Sequence, residues 1–575
     1  MARMKKHIAM LCLLIVVGIT ARAQDISQIA NSDPLIITGA IGTNNTYNYS
    51  SAGMGYSSPL SNSFYANLNI SLYGISMPFS LYYTNDNTEF SYPHISFNLN
   101  PRYKNWQGHL GLSSMEFSEY VMSMSFNGVG LEYNDNNRYR VGAFYGVLRK
   151  AVNDDPNNPS ARDPQYKRMG WGFKVGYGTA ENYLDLYFLR AYDKLKSLDE
   201  HWQRLVSPQD NVVVGLKGAL HPLKFLSLQA NAAMSAFSTD TRVEEVPTDV
   251  YDSKWGSVFD VRYSSLARFA GDVSVGVTFD KISAQAFYRL IQPDFTSLGL
   301  YYMSNNYHSL GLNLSTTAIP QVSLAATFSG QADNLSNKQL YTTKGYVYAF
   351  TASTHIGNNL NLMAGYNGYT QKQSDGTAPV NDTTRIDRIT QSITFVPSYS
   401  FDTGDLGHGI SLSTAWTQNK DRNPFSTGES DVSSLAASLS YSLNIKPWET
   451  DISATLSHQE SKGYQTKYIS NIGSLTIGRS FLSERELNVA LTGNLIYNEV
   501  KNQSKSLSMG FDCSVGYTLL KVHNFSLQGS MNRYGDVNVS KRRSSLDTYD
   551  ISATFNYAYT FSLFEIKRKN GGAKK

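Results

Sequence analysis

Residues 549–563 read YDISATFNYAYTFSL and alternate between two kinds of side chain. The odd positions, from Tyr549 to Leu563, are apolar or aromatic, and the even positions, from Asp550 to Ser562, are polar or small. Because successive side chains of a β-strand point to opposite faces, this stretch predicts a strand with one apolar face. It is longer than the usual strand of about five or six residues in a globular sheet and is typical of a tilted transmembrane strand.

The same alternation recurs in residues 434–445, 487–497 and 506–519. A β-sandwich also alternates, but its solvent face is normally rich in Lys and Glu. Here the second face is built from Ser, Thr, Asn and Gly, which is too small and polar for an ordinary solvent face. The pattern therefore favours strands whose apolar face contacts lipid.

The spacing of the connections indicates the architecture. Tight turns such as Asp280-Lys281 and Ile356–Asn359 alternate along the chain with longer loops such as 194–209 and 372–386. Outer-membrane barrels have short periplasmic turns and longer extracellular loops, whereas a sandwich has no reason to sort its loops in this way. We predict an all-β fold, a single large antiparallel transmembrane β-barrel of about 26 strands with both ends on the short-turn side. Residues 92–139 fit this count less clearly, so 22 or 24 strands remain as alternatives.

The composition excludes other classes of protein. The 575 residues include 39 Tyr and 43 Gly, and only 17% of them are charged, which is few for a soluble surface. After the first 23 residues, no stretch reaches the roughly 18 consecutive apolar residues of a spanning helix. The aromatic content also excludes a disordered chain.

The N-terminus predicts export. Arg3, Lys5 and Lys6 precede the short apolar run Ile8–Ile19, and Ala21-Arg22-Ala23 offers small residues before a cut. We therefore expect residues 1–23 to be a cleaved signal peptide, with the cell outer membrane as destination. The expected organisation is then a short periplasmic segment at 24–34, the barrel at 35–564 and a basic periplasmic tail at 565–575.

Removal of the predicted signal peptide changes the charge of the chain. It takes away four of the 50 basic side chains and no acidic one, which leaves 46 basic and 46 acidic side chains. No basic surplus then points to nucleic acid as a partner. The one remaining cysteine, Cys513, is predicted to face lipid between Phe511 and Val515, and it has no second cysteine to pair with.

Two groups of charged residues are candidates for the lumen face. The tight turn Asp280-Lys281 sets a register in which Asp272 lies directly opposite Arg289, both on the polar face. Such a pair could contribute to ion selectivity, or it could only stabilise the sheet as a cross-strand pair. Arg138 and Arg140 also share a polar face, and they predict either an arginine ladder for anionic solutes or a solvated wall.

Catalytic and metal patterns are weak. The histidines after residue 23 are scattered without metal-binding spacing, so we expect no enzyme activity, no cofactor and no metal. Two acidic loop clusters could bind calcium, although charged loop tips are usually just solvated and neither follows an EF-hand pattern. These clusters are Asp154, Asp155 and Asp163, and Asp240, Glu244, Glu245, Asp249 and Asp252.

Three short phrases resemble a known group of proteins. YGISMPFS at 73–80, GAFYG at 142–146, and QPDF at 292–295 with LGLYY at 298–302 are similar to phrases in large, mostly uncharacterised outer-membrane barrels of Bacteroidota. The resemblance spans the N-terminal half and implies a plug-less barrel in the outer membrane of a Gram-negative cell. It brings no assigned residues and no settled activity.

The sequence leaves two main hypotheses for function, with a barrel enzyme as the least favoured third. Only about ten residues, Gln24 to Pro34, separate the signal peptide from the first predicted strand, so we expect no plug domain and no TonB coupling. Barrels of 22 or more strands enclose a wide lumen and are normally plugged. Either extracellular loops, notably 239–266, fold inward to narrow a porin-like passage for solutes, or a partner protein caps or fills the barrel. In the second hypothesis the chain is a scaffold of a secretion or assembly complex, with surface lipoproteins or a plug protein as partners.

Overall fold

The computed structural model describes residues 34–52, 59–85, 95–135, 137–153, 163–247, 258–482, 484–536 and 548–566. The predicted signal peptide, residues 24–33 and residues 567–575 of the predicted tail lie outside this part of the chain. The described residues form 27 β-strands, one short α-helix, α1 (Glu200–Leu205), and two single-turn 3₁₀ segments, Leu195–Ser197 and Lys446–Trp448. None of the described residues forms a helix that is long and apolar enough to cross a membrane.

The strands follow one another around the sheet in chain order. Their bounds are β1 Leu35–Ser50, β2 Leu60–Leu72, β3 Ile75–Thr84, β4 Ile95–Leu99, β5 Arg102–Tyr103, β6 Trp106–Ser113, β7 Phe126–Asn134, β8 Tyr139–Arg149, β9 Arg168–Gly178, β10 Tyr183–Asp193, β11 Asp210–Leu223, β12 Leu226–Ser238, β13 Ser265–Phe279, β14 Ile282–Ile291, β15 Tyr307–Thr316, β16 Val322–Asp333, β17 Tyr341–Ile356, β18 Leu360–Asp375, β19 Asp387–Thr403, β20 Leu406–Asp421, β21 Val432–Ile445, β22 Thr450–Lys462, β23 Lys467–Phe481, β24 Leu487–Val500, β25 Ser504–Leu519, β26 His523–Asp536 and β27 Thr548–Ile566.

The sheet closes into a barrel because its first strand pairs with its last. β1 is antiparallel to β27 from Leu35 opposite Ile566 to Ser50 opposite Asp550. The short strands β4 and β5 share one position between β3 and β6. Pro101 lies between them, and its missing N–H interrupts the ladder at that point. The barrel therefore has 26 strand positions, which confirms the predicted fold class and strand number.

The two ends of the barrel differ in the length of their connections. At one end, which we call the short-turn end, tight turns join the strands, and several use left-handed backbone at residues such as Gly74 and Asp280. The other end, the long-loop end, carries connections such as 194–209 and 292–306. The chain enters β1 and leaves β27 at the short-turn end, as the sequence predicted.

The two faces of the sheet differ as the alternation predicts. Leu439 and Phe555, on the convex face, are 49% and 43% exposed in the absence of lipid. The concave face of the same strands carries small polar side chains, and the hydroxyls of Ser440 and Thr455 are 3.0 Å apart. Cys513 shares the convex face with its cross-strand neighbour Leu491. This arrangement is the apolar-out, polar-in pattern of a transmembrane barrel.

The assigned faces predict opposite effects of arginine at adjacent positions. We expect Leu439→Arg to lower the free energy of unfolding by about 2–4 kcal/mol near the bilayer midplane, because the charge is transferred into hydrocarbon. Ser440→Arg is the matched control, since its side chain faces the polar lumen. Denaturant titration of both variants in lipid vesicles measures the difference, and equal stability would contradict the assigned faces.

Candidate functional site

Two connections of the long-loop end fold into the lumen. The first, residues 114–125, joins β6 to β7, and the second, residues 292–306, joins β14 to β15. We call them together the in-folded unit. Since the first segment leaves β6 and reaches β13 directly, it lies on the concave side of the sheet. The unit forms a hydrophobic core with the wall: Met115, Phe117, Tyr120, Val121, Met122, Met124, Phe295 and Leu298 pack against Phe126, Phe144, Leu148, Tyr187, Leu189, Ala191, Val213, Ala233, Phe237, Ala270 and Ile291.

The two segments bind each other through their backbones. The N–H groups of Ser123 and Met124 each lie 3.0 Å from the carbonyl oxygen of Gly299. The Ser297 hydroxyl donates to the carbonyl oxygen of Val121 at 2.6 Å. The two segments thus satisfy polar groups of each other, which joins them into one packed unit.

Buried polar side chains of the wall anchor the second segment. Asn211 is fully buried and accepts a hydrogen bond from the Leu298 N–H at 2.9 Å, while its own amide donates to the Ser235 hydroxyl at 2.7 Å. Ser235 in turn donates to the carbonyl oxygen of Thr296 at 2.5 Å. In the first segment, Ser118 donates to the Asn231 side chain at 2.7 Å. These satisfied contacts fix the unit in one position on the wall.

Glycines on the inner face make room for the in-folded unit. A Cβ atom at Gly215 would lie 2.5 Å from Cγ2 of Val121, and one at Gly142 would lie 2.9 Å from Cε of Met115. An added Cβ at Gly215 would therefore push against Val121, whereas at Gly142 the flexible end of the Met115 side chain would have to move. The phrase GAFYG at 142–146 thus has a physical role, because its inward residues Gly142 and Phe144 form part of the seat for the unit.

A row of charged residues crosses the inner wall below the core. Its members are direct partners across neighbouring strands, from β7 to β14, and we call it the charged row. Five of its eight members are charged, and the signs of these five alternate. Three of the four lumen-facing residues predicted from the sequence, Arg140, Asp272 and Arg289, lie on it. In order it contains Asn134, Arg140, Gly176, Asp185, Lys217, Asn231, Asp272 and Arg289.

Asp272 and Arg289 are opposite each other in the register that the sequence predicts. The distance from Asp272 Oδ1 to Arg289 Nη2 is 3.8 Å. Asp272 also accepts a hydrogen bond from the Tyr120 hydroxyl, and Arg289 lies 3.3 Å from the Glu119 carboxylate. The pair therefore does more than join two strands: it holds the tip of the first in-folded segment. Arg289 remains 38% exposed and also faces the lumen.

Arg138 and Arg140 do not form a ladder. The Asp135 side chain accepts hydrogen bonds from the backbone N–H groups of Asn137, Arg138 and Tyr139, which holds Arg138 in an exposed turn before β8. Arg140 is on the inner wall and is bound to Asp185, with Nη2 2.8 Å from Oδ1. The structure thus places Arg140 on the inner wall, and it places Arg138 in the Asx-type turn that precedes β8.

A polar cavity of 640 Å³ lies on the wall between the in-folded unit and the short-turn end. Glu116 of the unit bounds it on one side, and turn residues Asn105 and Thr179 bound it on the other. We call it the vestibule. Three acidic and five basic side chains line it: Glu116, Glu132 and Asp185, and Arg102, Lys104, Arg140, Lys174 and Lys217.

The loop predicted to fold inward, residues 239–266, takes another course in its described part. Phe259 is buried against Phe188 and Val212, which lie on the convex face of β10 and β11. At the start of the loop, a hydrogen bond from Arg242 lowers the pKa of the Asp240 carboxyl. In its described part, the apolar residue of this loop finds its partners on the convex side. The in-folded segments of the described chain are 114–125 and 292–306.

The proposed calcium ligands are not brought together in the described residues. Asp240 pairs with Arg242, and Glu245 pairs with Arg262 at 2.8 Å. In the described ranges, no group of three or more His, Cys, Asp or Glu side chains is arranged to hold a metal ion. Four of the remaining acidic candidates, at residues 154, 155, 249 and 252, lie outside the described residues.

No family model matches the chain, and no curated protein matches it. Among solved structures, it is similar to OccAB2 of Acinetobacter baumannii, with 9% identity, 66% of this chain and 96% of that chain covered, and a TM-score of 0.29. OprD of Pseudomonas aeruginosa gives 11% identity, coverage of 62% and 91%, and a TM-score of 0.30. The translocation pore of the P pilus usher PapC gives 10% identity and a TM-score of 0.33, with 92% of this chain and 100% of that chain covered. Structural similarity at these TM-scores supports no functional assignment. The fold is established by the strand pairing described above.

The close contact between Gly215 and Val121 suggests a substitution that displaces the in-folded unit. We expect Gly215→Leu to push Val121 off the wall at a local cost of about 1–3 kcal/mol, because the added side chain overfills a packed site. Hydrogen exchange of the amides at 118–124 should then become roughly tenfold faster or more.

The matched control is Gly516→Leu on the inner face of β25, where an added Cβ meets nothing within 4 Å. Both variants should keep the heat-modifiable electrophoretic mobility of a folded barrel. Equal exchange rates at 118–124 in the two variants would contradict the close packing at Gly215.

Proposed function

We propose that the chain spans the outer membrane and provides a passage for polar solutes. The observation that carries this proposal is the closed sheet, with an apolar convex face all round and a polar concave face outside the arc that the in-folded unit covers. The exposed apolar convex face suits lipid, and closure leaves no unpaired sheet edge in hydrocarbon. The predicted signal peptide agrees with this location.

The lumen is filled on one side only in the part of the chain that the structure describes. All buried hydrophobic residues of that part lie between Met115 and Leu300, except Ala66 and Ile389. From β15 to β27 the concave face instead carries hydroxyl and amide side chains, such as Ser438 facing Ser457 and Thr476 facing Thr492. This supports a passage between the in-folded unit and the polar wall across from it.

A second candidate function is a scaffold whose lumen is occupied by a partner protein. The observation that favours it is size, since 26 strands enclose a lumen wider than that of porins with 16–18 strands. The in-folded unit covers the wall from β7 to the start of β15, where Tyr307 packs against it. The uncovered arc could therefore receive a segment of another protein, such as a surface lipoprotein or a plug protein.

Single-channel conductance and the presence or absence of a co-purifying partner protein distinguish the two functions. We expect the barrel, purified in mild detergent from native membranes, to give steady single-channel currents in planar bilayers, because the uncovered arc leaves a water-filled path. Liposome swelling with sugars of increasing size would then define the width of the passage. A stoichiometric partner together with no stable conductance would contradict the passage and support the scaffold.

A further inference from the structure

We propose that the vestibule binds anionic solutes that carry carboxylate or phosphate groups, with Lys217 and Arg102 as the recognising cations. This inference rests on the proposed passage, and it names a class of substrate for it. The vestibule holds five basic and three acidic side chains, so its lining has a positive surplus. Low-dielectric walls around a lumen concentrate such a field and attract ions of opposite sign.

Two of the five cations are already neutralised. Nζ of Lys174 is 2.5 Å from Oε1 of Glu132 and also donates to the carbonyl oxygen of Glu116 at 3.1 Å. Arg140 binds Asp185 and donates from Nη1 to the carbonyl oxygen of Gly178 at 2.8 Å. These pairs shape the wall but have little capacity left for a ligand.

Lys217 faces an acid that is already engaged. Asp185 is its direct cross-strand partner, yet Oδ1 of Asp185 accepts from Nε and Nη2 of Arg140 at 3.1 and 2.8 Å. The other oxygen, Oδ2, accepts from the Tyr187 hydroxyl at 3.3 Å. Among the described residues, Lys217 forms no ion pair, so its ammonium group is available to a ligand in the lumen.

Gly176 is the reason that Arg140 reaches Asp185. It lies between them on the charged row, and a Cβ atom there would be 2.0 Å from Oδ1 of Asp185 and 3.1 Å from Nε of Arg140. With a side chain at this position, the guanidinium could not cross to Asp185. The glycine thus lets Arg140 bind Asp185, and Lys217 forms no ion pair within the described part of the chain.

Arg102 supplies the second cation. It lies on the inner face opposite Gln107 and Ser76, lines the same cavity as Lys217 and forms no ion pair in the described residues. Lys104 lies 5.5 Å from the ring of Tyr103, and Glu116 is the one lining acid that these cations have to outweigh. A guanidinium and an ammonium on one cavity suit a multivalent anion, because charge-assisted hydrogen bonds to each are the strong ones.

Binding of citrate and of inorganic phosphate to the purified barrel in detergent, measured by calorimetry, tests the inference. We expect Lys217→Gln to weaken citrate binding by about tenfold, which corresponds to the loss of one charge-assisted contact, about 1.4 kcal/mol. Arg102→Gln should have a similar effect. Arg138→Gln, in the exposed turn outside the vestibule, is the matched control and should bind like the unchanged protein. The two probes distinguish carboxylate from phosphate as the preferred group.

Heat-modifiable mobility establishes that each variant is folded, and single-channel recording on the same preparations separates this inference from the passage. A barrel that conducts but binds neither anion, or binds them equally well after Lys217→Gln and Arg102→Gln, would overturn the anion site alone. A barrel that binds citrate through Lys217 and does not conduct would overturn the passage alone. Conduction with concentration-dependent block by citrate, lost in Lys217→Gln, would support both.

Discussion

The pairing of β1 with β27 is the constraint on which the rest of the structure depends. An open sheet of this size would leave a row of backbone N–H and C=O groups without partners, and hydrocarbon offers none. Closure satisfies them and at the same time fixes an inside and an outside for every strand. Because side chains alternate along a strand, one choice of register assigns each residue to lipid or to lumen. The alternation of residues 549–563 therefore reflects the closed barrel, because only closure gives this strand one face toward lipid and one toward the lumen.

Closure with 26 strands creates more interior than wall side chains can fill. On the arc from β7 to β14 the chain fills part of it with its own connections. Apolar side chains of the wall, such as Phe144 and Val213, meet the in-folded unit, and glycines such as Gly215 let it approach the backbone. On the remaining arc many inward residues are small and polar, such as Ser438 and Thr476. The inner wall of the barrel is thus part of a hydrophobic core on one arc and a polar surface on the other.

Strand alternation was enough to predict the barrel, its 26 positions and the Asp272–Arg289 register, because these follow from local pattern and turn length. The in-folded unit was missed, since the partners of residues such as Tyr120 lie on strands far along the sheet. A signal was nonetheless present. Inward positions of β8, β10 and β11 include Phe144, Leu189 and Val213, and strands that are apolar on both faces are buried on both. The same alternation and the turn at 179–182 could also have placed Asp185 opposite Gly176.

The charged row links the two features of the lumen that carry function. At one end, Asp272 and Arg289 hold the first in-folded segment through Tyr120 and Glu119. Three strands away, Asp185 is taken by Arg140, which leaves Lys217 available. Only Asn231 stands between Lys217 and Asp272 on the row, and it binds Ser118 of the unit. An anion on Lys217 would thus sit beside the residues that anchor the unit, so the field of a bound solute acts on the anchor through one intervening side chain. Alternation of sign along the row keeps the wall nearly neutral. The small size of Gly176 lets Arg140 bind Asp185, so that Lys217 forms no ion pair among the residues that the structure describes.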